Sequence, residues 1–286
     1  MKEKCCCMIL NYNDSDTVKQ IVDHIYYYAS FDYILIVDNC SSDESWNKIL
    51  TYVDDRIIAV QTNYNGGYGY GNNYGIQYAK EILKCKFVLL SNPDVLFDEN
   101  LVKGLLGAIR KPDSAIASAI QHDINDIPIK DVAWKIPTPI ECALLQTGIG
   151  DKFFDTRYKE VLNSGGTLEV ECVPGALLMI DVDKFVEVGG YDEKMFLYCE
   201  EDTIAFRLKA KGYKTLLLCD KHYQHAHAVS INKSIKDKAK QMKLIFENRI
   251  YFMERYLKAP KVIIYFAKCV HIWRLFQLKK ALRLQL

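Results

Sequence analysis

Three consecutive acids, Glu200, Glu201 and Asp202, open a run with helical spacing that continues through Arg207. Acids at a helix N-terminus are favoured by the helix dipole, which accounts for one or two of them. A third, crowded beside them, implies a perturbed pKa or a cationic partner. One such carboxylate could accept a proton from a hydroxyl group. A second acid, Asp94, ends the segment Ser91-Asn92-Pro93-Asp94. Pro93 stops a strand there and fixes the turn, presenting a hard oxygen ligand suited to Mg²⁺ or Mn²⁺ on a diphosphate. In His225-Ala226-His227 two imidazoles share one side of an extended chain, where they could meet a metal or a diphosphate. Each group also has a plain structural reading: helix capping, an exposed turn, structural histidines.

Two further segments carry binding chemistry. Asn11-Tyr12-Asn13 and Val37-Asp38-Asn39-Cys40-Ser41-Ser42-Asp43 each follow an apolar run. A carboxylate at such a place, Asp38, can accept from a base N–H or a ribose hydroxyl, and capping by Ser41 and Asp43 does not need it. The segment from Asn63 to Gly75 holds five glycines within ten residues, enough for backbone to approach a ligand closely, although a surface loop would read the same way. It lacks the G-x-G-x-x-G register of a dinucleotide loop.

These residues need elements to place them. Apolar runs at Cys5–Leu10, Tyr33–Val37, Ile57–Gln61, Phe87–Leu90 and Ala115–Ile120 predict strands. Between them Ser15–Ala29, a segment capped by Ser41 and Glu44, Asn72–Leu83 and Leu101–Arg110 predict helices. That alternation implies an α/β fold with a mostly parallel sheet covered on both faces, whose strand ends form the ligand edge. The pattern breaks between Gln121 and Glu169, the expected acceptor-binding stretch. Strand then resumes over Val170–Ile180 with an interruption at Pro174-Gly175. A helix over Glu201–Lys211 and a strand over Tyr213–Cys219 follow, and the chain is helical from Asn232 with a break near Pro260.

Taken in order, "NYN", "VDNCSSD", "NYNGGYGYGNNYG", "SNPDV", "PGALLMID", "GGYDEKMFLYCEED" and "HAHAVS" resemble the family 2 glycosyltransferases, rhamnosyltransferase-like bacterial members in particular. The resemblance runs from about Met8 to Ser230. It implies a GT-A type fold and an inverting, metal-assisted transfer from a UDP- or dTDP-type sugar to a hydroxyl acceptor of a glycan or lipid-linked glycan. Asn11, Asn13, Asp38, Asn65, Gly66, Gly71, Asn73 and Asn92 are implied donor-binding residues. Asp94 is implied as the Mn²⁺ or Mg²⁺ ligand, although Asn92 replaces the first Asp of the family's D-x-D element. His227 is preferred to His225 as its companion. For the base, counting back from Arg207 favours Glu201, while residue identity favours Asp202; Glu200 stays a candidate.

The composition is that of a packed protein: half of the 286 residues are hydrophobic and 26% charged. Residues 1–230 read as the catalytic domain and 231–286 as a helical extension. Arg255 to Leu286 holds eight Lys or Arg and no acid. The chain's net +1, less those eight cations, leaves −7 on the rest. An acidic body disfavours nucleic acid, and an amphipathic basic tail suits an anionic membrane surface, the catalytic domain or a second subunit. Ten cysteines without zinc spacing predict a reducing compartment, and short apolar runs predict neither signal peptide nor membrane span, hence a cytoplasmic protein. The rival readings are a nucleotidyltransferase, disfavoured by the absence of a basic glycine-rich loop after the first strand, and a non-catalytic nucleotide-sugar-binding module.

Overall fold

A computed structural model describes residues 3–145, 147, 154–226 and 238–283. The first half alternates β1 (Lys4–Asn11), α1 (Ser15–Ile25), β2 (Tyr33–Asp38), α2 (Ser45–Leu50), β3 (Ile57–Gln61), α3 (Tyr68–Glu81), β4 (Cys85–Ser91), β5 (Val95–Leu96), α4 (Glu99–Ile109) and β6 (Ser114–His122). Then come α5 (Pro139–Leu145), β7 (Thr167–Val170), β8 (Leu177–Asp181), α6 (Val182–Glu187), α7 (Glu200–Ala210), β9 (Lys214–His225), α8 (Lys238–Arg255) and α9 (Lys261–Arg283). The sheet order is β3-β2-β1-β4-β8-β6-β9-β5, with β7 also on β9. β3, β2, β1 and β4 are mutually parallel, and so are β6 and β9. β8 runs antiparallel between β4 and β6, so the parallel pattern expected from the first strands changes at that point.

Both faces are covered, which explains why the strands read as unbroken apolar runs. In β1, Cys5, Cys7 and Ile9 enter the core under α1 and α4, while Cys6 and Met8 enter the core under α3, α6 and α7. A third cluster joins α5, α8 and α9 through Cys142, Ile250, Phe252, Ile264 and Ala267. All ten cysteines are free.

Two local expectations are corrected. The cap of α2 is Glu44, and Ser41 instead spends its hydroxyl on Asp38 Oδ1 at 2.6 Å. The glycine-rich stretch is a helix from Tyr68, not a surface loop ahead of a helix at Asn72. Its glycines hide the helix in a propensity reading but let it lie close on the sheet. A Cβ on Gly75 would sit 2.5 Å from Met8 Sδ and from Val37 Cγ2.

Candidate active site

One cleft of about 600 Å³ opens at the carboxyl ends of β1, β2 and β4. Its walls include Tyr12, Asn39 and Asn65, then Asn92, Pro93 and His225, then Glu200, Glu201 and Asp202. Groups more than a hundred residues apart in sequence therefore face one cavity. Trp134, Cys142 and Phe154 bring in the irregular stretch after β6, and Ile245 and Arg249 bring in α8.

At the β1–β2 corner, Asp38 is fully buried and its carboxylate is committed. Oδ1 accepts from Asn11 Nδ2 (2.7 Å) and Ser41 Oγ, and Oδ2 from Ser41 N–H (3.0 Å) and Gln61 Nε2 (2.9 Å). Asp38 and Asn11 thus tie three strand ends together beneath the cleft. Asn39 is the polar group presented above them, held by Nδ2 donating to Asn65 Oδ1 and to the Gly67 carbonyl, both at 3.0 Å. Gly67 (φ +90°) is obligatory, because a Cβ there would run into the Phe196 carbonyl.

Several sequence candidates have their side chains or space used elsewhere. Asn13, with φ +55°, binds Ser42 and joins two loops. A Cβ on Gly66 would meet the Tyr70 ring, and one on Gly71 would meet Leu10 Cδ1. Asn73 bonds both backbone groups of Tyr191. Arg207 donates to the Gly189 and Gly190 carbonyls and to Tyr256 Oη, fastening α7 to its neighbours. None of these five lines the cleft.

At the end of β4, Asp94 Oδ1 lies 3.1 Å from His225 Nε2, and both side chains are largely buried. Backbone pairing of β5 with β9 sets them side by side: Val95 stands opposite His225 and Ala226 N–H donates to the Asp94 carbonyl. Gln121 lies 3.1 Å from His225 Nδ1 and accepts from Tyr223 Oη through its Oε1. His225 Nε2 is thus the ring nitrogen that faces Asp94. A carboxylate and an imidazole this close form a donor set that fits Mn²⁺ better than Mg²⁺. His227 falls outside the described residues. A separate group, His122, Asp126 and His222, also has ligand atoms within 4.8 Å of one another, but none of the three lines the cleft.

The acids sit on a strained turn. Tyr198 and Cys199 both have positive φ (+77° and +67°), a conformation costing roughly 1–3 kcal/mol for each such residue. Asn248 of α8 holds this turn by donating to the Leu197 and Tyr198 carbonyls at 2.7 and 3.1 Å. The three carboxyls then differ. Glu200 is buried with Oε2 unpartnered, and burial, then the neighbouring Glu201, pushes its pKa well above the usual range. Asp202 is raised by burial, but Trp134 Nε1–H donates to its Oδ1 at 2.8 Å and Arg249 also favours its charge. Glu201 is raised by burial to about 7, against backbone hydrogen bonds that pull it down. It lies against Gly175, where a Cβ would come 3.2 Å from Glu201 Oε1. Gln121, Trp134 and Arg249 were missed in the sequence, where no motif marks them, while Asn39 and Gly175 lie within VDNCSSD and PGALLMID without being singled out.

Comparison with known proteins places the family and the fold. The family described as "Glycosyl transferase family 2" matches residues 6–162. A low-salt glycan biosynthesis hexosyltransferase, Agl10 of Haloferax volcanii, is 25% identical over 207 residues, covering 72% of this chain and 61% of that protein. The chain thus spans less than two thirds of that relative. The N-acetylglucosaminyl-diphospho-decaprenol L-rhamnosyltransferase of Mycobacterium tuberculosis is 24% identical over 70% of this chain and 68% of its own length. The rhamnosyltransferase WbbL of Escherichia coli is 21% identical over 81% and 86%. Among solved structures, the mannosyltransferase PcManGT of Pyrobaculum calidifontis, in complex with GDP-Man and Mn²⁺, superposes with a TM-score of 0.60 at 13% identity, covering 99% of this chain and 75% of that one. GalNAc-T7 with UDP, GalNAc and Mn²⁺ gives 0.59 at 14%, covering 94% and 54%. These likenesses show the GT-A fold.

Proposed function

Because the chain belongs to glycosyl transferase family 2, we propose that it moves a sugar from a UDP- or dTDP-type donor to a glycan hydroxyl, with inversion and with Glu201 as the base. The observation that carries this is the division of labour among the three acids. Glu200 is buried and driven toward its neutral form, and Asp202 already accepts from Trp134. Glu201 alone combines a place on the cleft wall with a pKa near the working pH.

In this reading the nucleotide lies on Tyr12, Asn39 and Asn65, supported from below by Asp38 and Asn11. Asn92 lines the wall between that corner and the acids. Asn13, Gly66, Gly71, Asn73 and Arg207 act through packing and leave the donor site. The acceptor oxygen attacks the anomeric carbon as the bond from that carbon to the diphosphate oxygen breaks, and the hydroxyl proton passes to Glu201. Asp94 and His225 would hold Mn²⁺ or Mg²⁺, which would supply positive charge for the departing diphosphate; His225 lines the cleft and Asp94 is its buried neighbour.

A lipid-linked acceptor and a cytoplasmic site on a membrane face complete the proposal. Among the described residues no helix is long and apolar enough to cross a membrane. One side of α9 is packed through Ile264 and Ala267, which meets the expectation of packing on the rest of the chain. The other side exposes Val262, Tyr265, Phe266, Ile272, Trp273 and Phe276 at helical spacing, with Tyr265 72% and Ile272 69% exposed. Cations without acids from Arg255 onward suit an anionic bilayer and would repel a second copy. Cutting α9 away would open the packed side, so the sharper test is Ile272→Glu with Trp273→Glu. Loss of co-sedimentation with anionic vesicles is expected; unchanged co-sedimentation overturns the docking.

The activity itself is tested by screening nucleotide sugars for thermal stabilisation with and without Mn²⁺. Bound donor stabilises the folded state by about 2.7 kcal/mol at a hundredfold excess over Kd. Release of the nucleoside diphosphate in the presence of acceptor then separates a transferase from a binding module. No stabilisation by any UDP-, dTDP- or GDP-sugar would overturn the assignment.

A further inference from the structure

Arg249 is a cleft cation without a partner among the described residues. It stands on α8, one helical turn after Ile245, and both line the cavity. The other arginine on the cleft wall, Arg157, has carboxylates: Asp155 at 2.5 Å and Asp131 at 3.8 Å. Among the described residues Arg249 makes no hydrogen bond and no ion pair, although it feels the charge of Asp202 from beyond contact distance. A guanidinium facing a cavity that also holds three acids would pair with one of them if neutralising an acid were its purpose.

Its surroundings show what would complete it. Arg249 lies among groups from α5, α8 and the turn before α7, since its charge also acts on Cys142 and Cys199. Leu145, Phe154, Phe196, Leu197 and Ile245 line the cavity as well and give an apolar wall. A hydrocarbon chain buries far more surface against such a wall than a glycan does. A phosphate ester with a hydrocarbon tail satisfies both features, and α9, which follows α8, presents its exposed apolar stripe on the same extension.

We infer that Arg249 binds the phosphate of a phospho- or diphospho-lipid carrying the acceptor sugar, making it a specificity residue for the acceptor and not for the donor. This rests on the transferase reading and its lipid-linked acceptor, and adds the residue that recognises the lipid phosphate. The guanidinium takes phosphate oxygens in its planar fork, and the first carbons of the lipid run along Ile245 and Phe196. The acceptor hydroxyl is thereby directed toward Glu201.

Farnesyl diphosphate, farnesol and inorganic pyrophosphate are the probes, each added to full-length protein already saturated with Mn²⁺ and the nucleoside diphosphate that stabilises it best. Farnesyl diphosphate should raise the melting temperature, and farnesol and pyrophosphate should each do less. Arg249→Gln should weaken farnesyl diphosphate binding on the order of tenfold or more, the scale of charge-assisted hydrogen bonds, while the response to nucleoside diphosphate stays. Arg249→Lys should fall between the two, which keeps the comparison usable if the glutamine variant folds poorly. Equal binding of farnesyl diphosphate by wild type and variants overturns the inference. So does loss of the nucleoside diphosphate response, which would make Arg249 a donor residue. If no nucleoside diphosphate stabilises wild type, the transferase reading fails instead, and the farnesyl diphosphate comparison still reports on Arg249.

Discussion

Trp134 Nε1–H donates to Asp202 Oδ1 across 2.8 Å, and that bond sets Asp202 apart from the carboxylate next to it in the chain. A donor already seated on one oxygen lowers proton affinity, while Glu201, with burial unopposed by any side-chain donor, rises to about 7. Glu201→Gln should lower turnover by about 10²–10⁴-fold with donor binding nearly intact. Asp202→Asn should cost less, and Trp134→Phe should move Asp202 toward the behaviour of its neighbour. Steady-state kinetics on the three variants check this; a larger loss in Asp202→Asn than in Glu201→Gln reverses the assignment.

The same shift predicts opposite pH trends for activity and stability. The base works deprotonated, so kcat/KM should climb with pH and level off above about 7. A glutamate that titrates near 4.5 when unfolded and near 7 when folded holds its proton more tightly in the native state across that interval. Its contribution to stability is full below 4.5 and is lost as pH rises through 7. Denaturant melts of wild type and Glu201→Gln should diverge over this window, the variant losing less stability.

Asp94 and His225 should act on the donor through the metal. Asp94→Ala should abolish the part of the nucleoside diphosphate stabilisation that requires Mn²⁺ and leave the metal-independent part. Thermal shifts with Mn²⁺ and with a chelator separate the two. An unchanged Mn²⁺ increment would remove Asp94 from the metal site.

Asn248 should matter for catalysis although it lies outside the chemistry. Its amide holds the carbonyls of a turn with two consecutive left-handed residues. Asn248→Ala should relax that turn and lower kcat about tenfold or more, because displacement of the base by about 1 Å costs on that scale. The melting temperature should fall by only a few degrees, consistent with about 1–2 kcal/mol in a chain of this size.

Much of this frame was legible beforehand. The strand Ile57–Gln61 falls as its apolar run indicates, and the acids do open a helix at Glu200. What escaped the sequence has physical causes. Glycine disguises the first turn of α3, where Gly71 brings the helix against Leu10 and Asn39. The antiparallel course of β8 is a tertiary choice that a local pattern does not encode. Trp134 comes from a segment without periodic signal and Arg249 from an expected helix without a motif, and only packing brings them to the acids. Asp38 is expected to touch a nucleotide because capping by Ser41 and Asp43 does not need it; that four donors occupy its carboxylate follows from tertiary contacts no local pattern encodes.

That full occupancy has a consequence for how the protein would choose among nucleobases. With Asp38 turned inward, the surface offered at this corner consists of the amides of Asn39 and Asn65 and the phenol of Tyr12, with Asp14 at its margin. Discrimination there depends on the pattern of neutral donors and acceptors and on shape. Neutral amides do not change their preference with acidity, so the ranking of nucleobases should stay level across the interval in which the rate constant climbs.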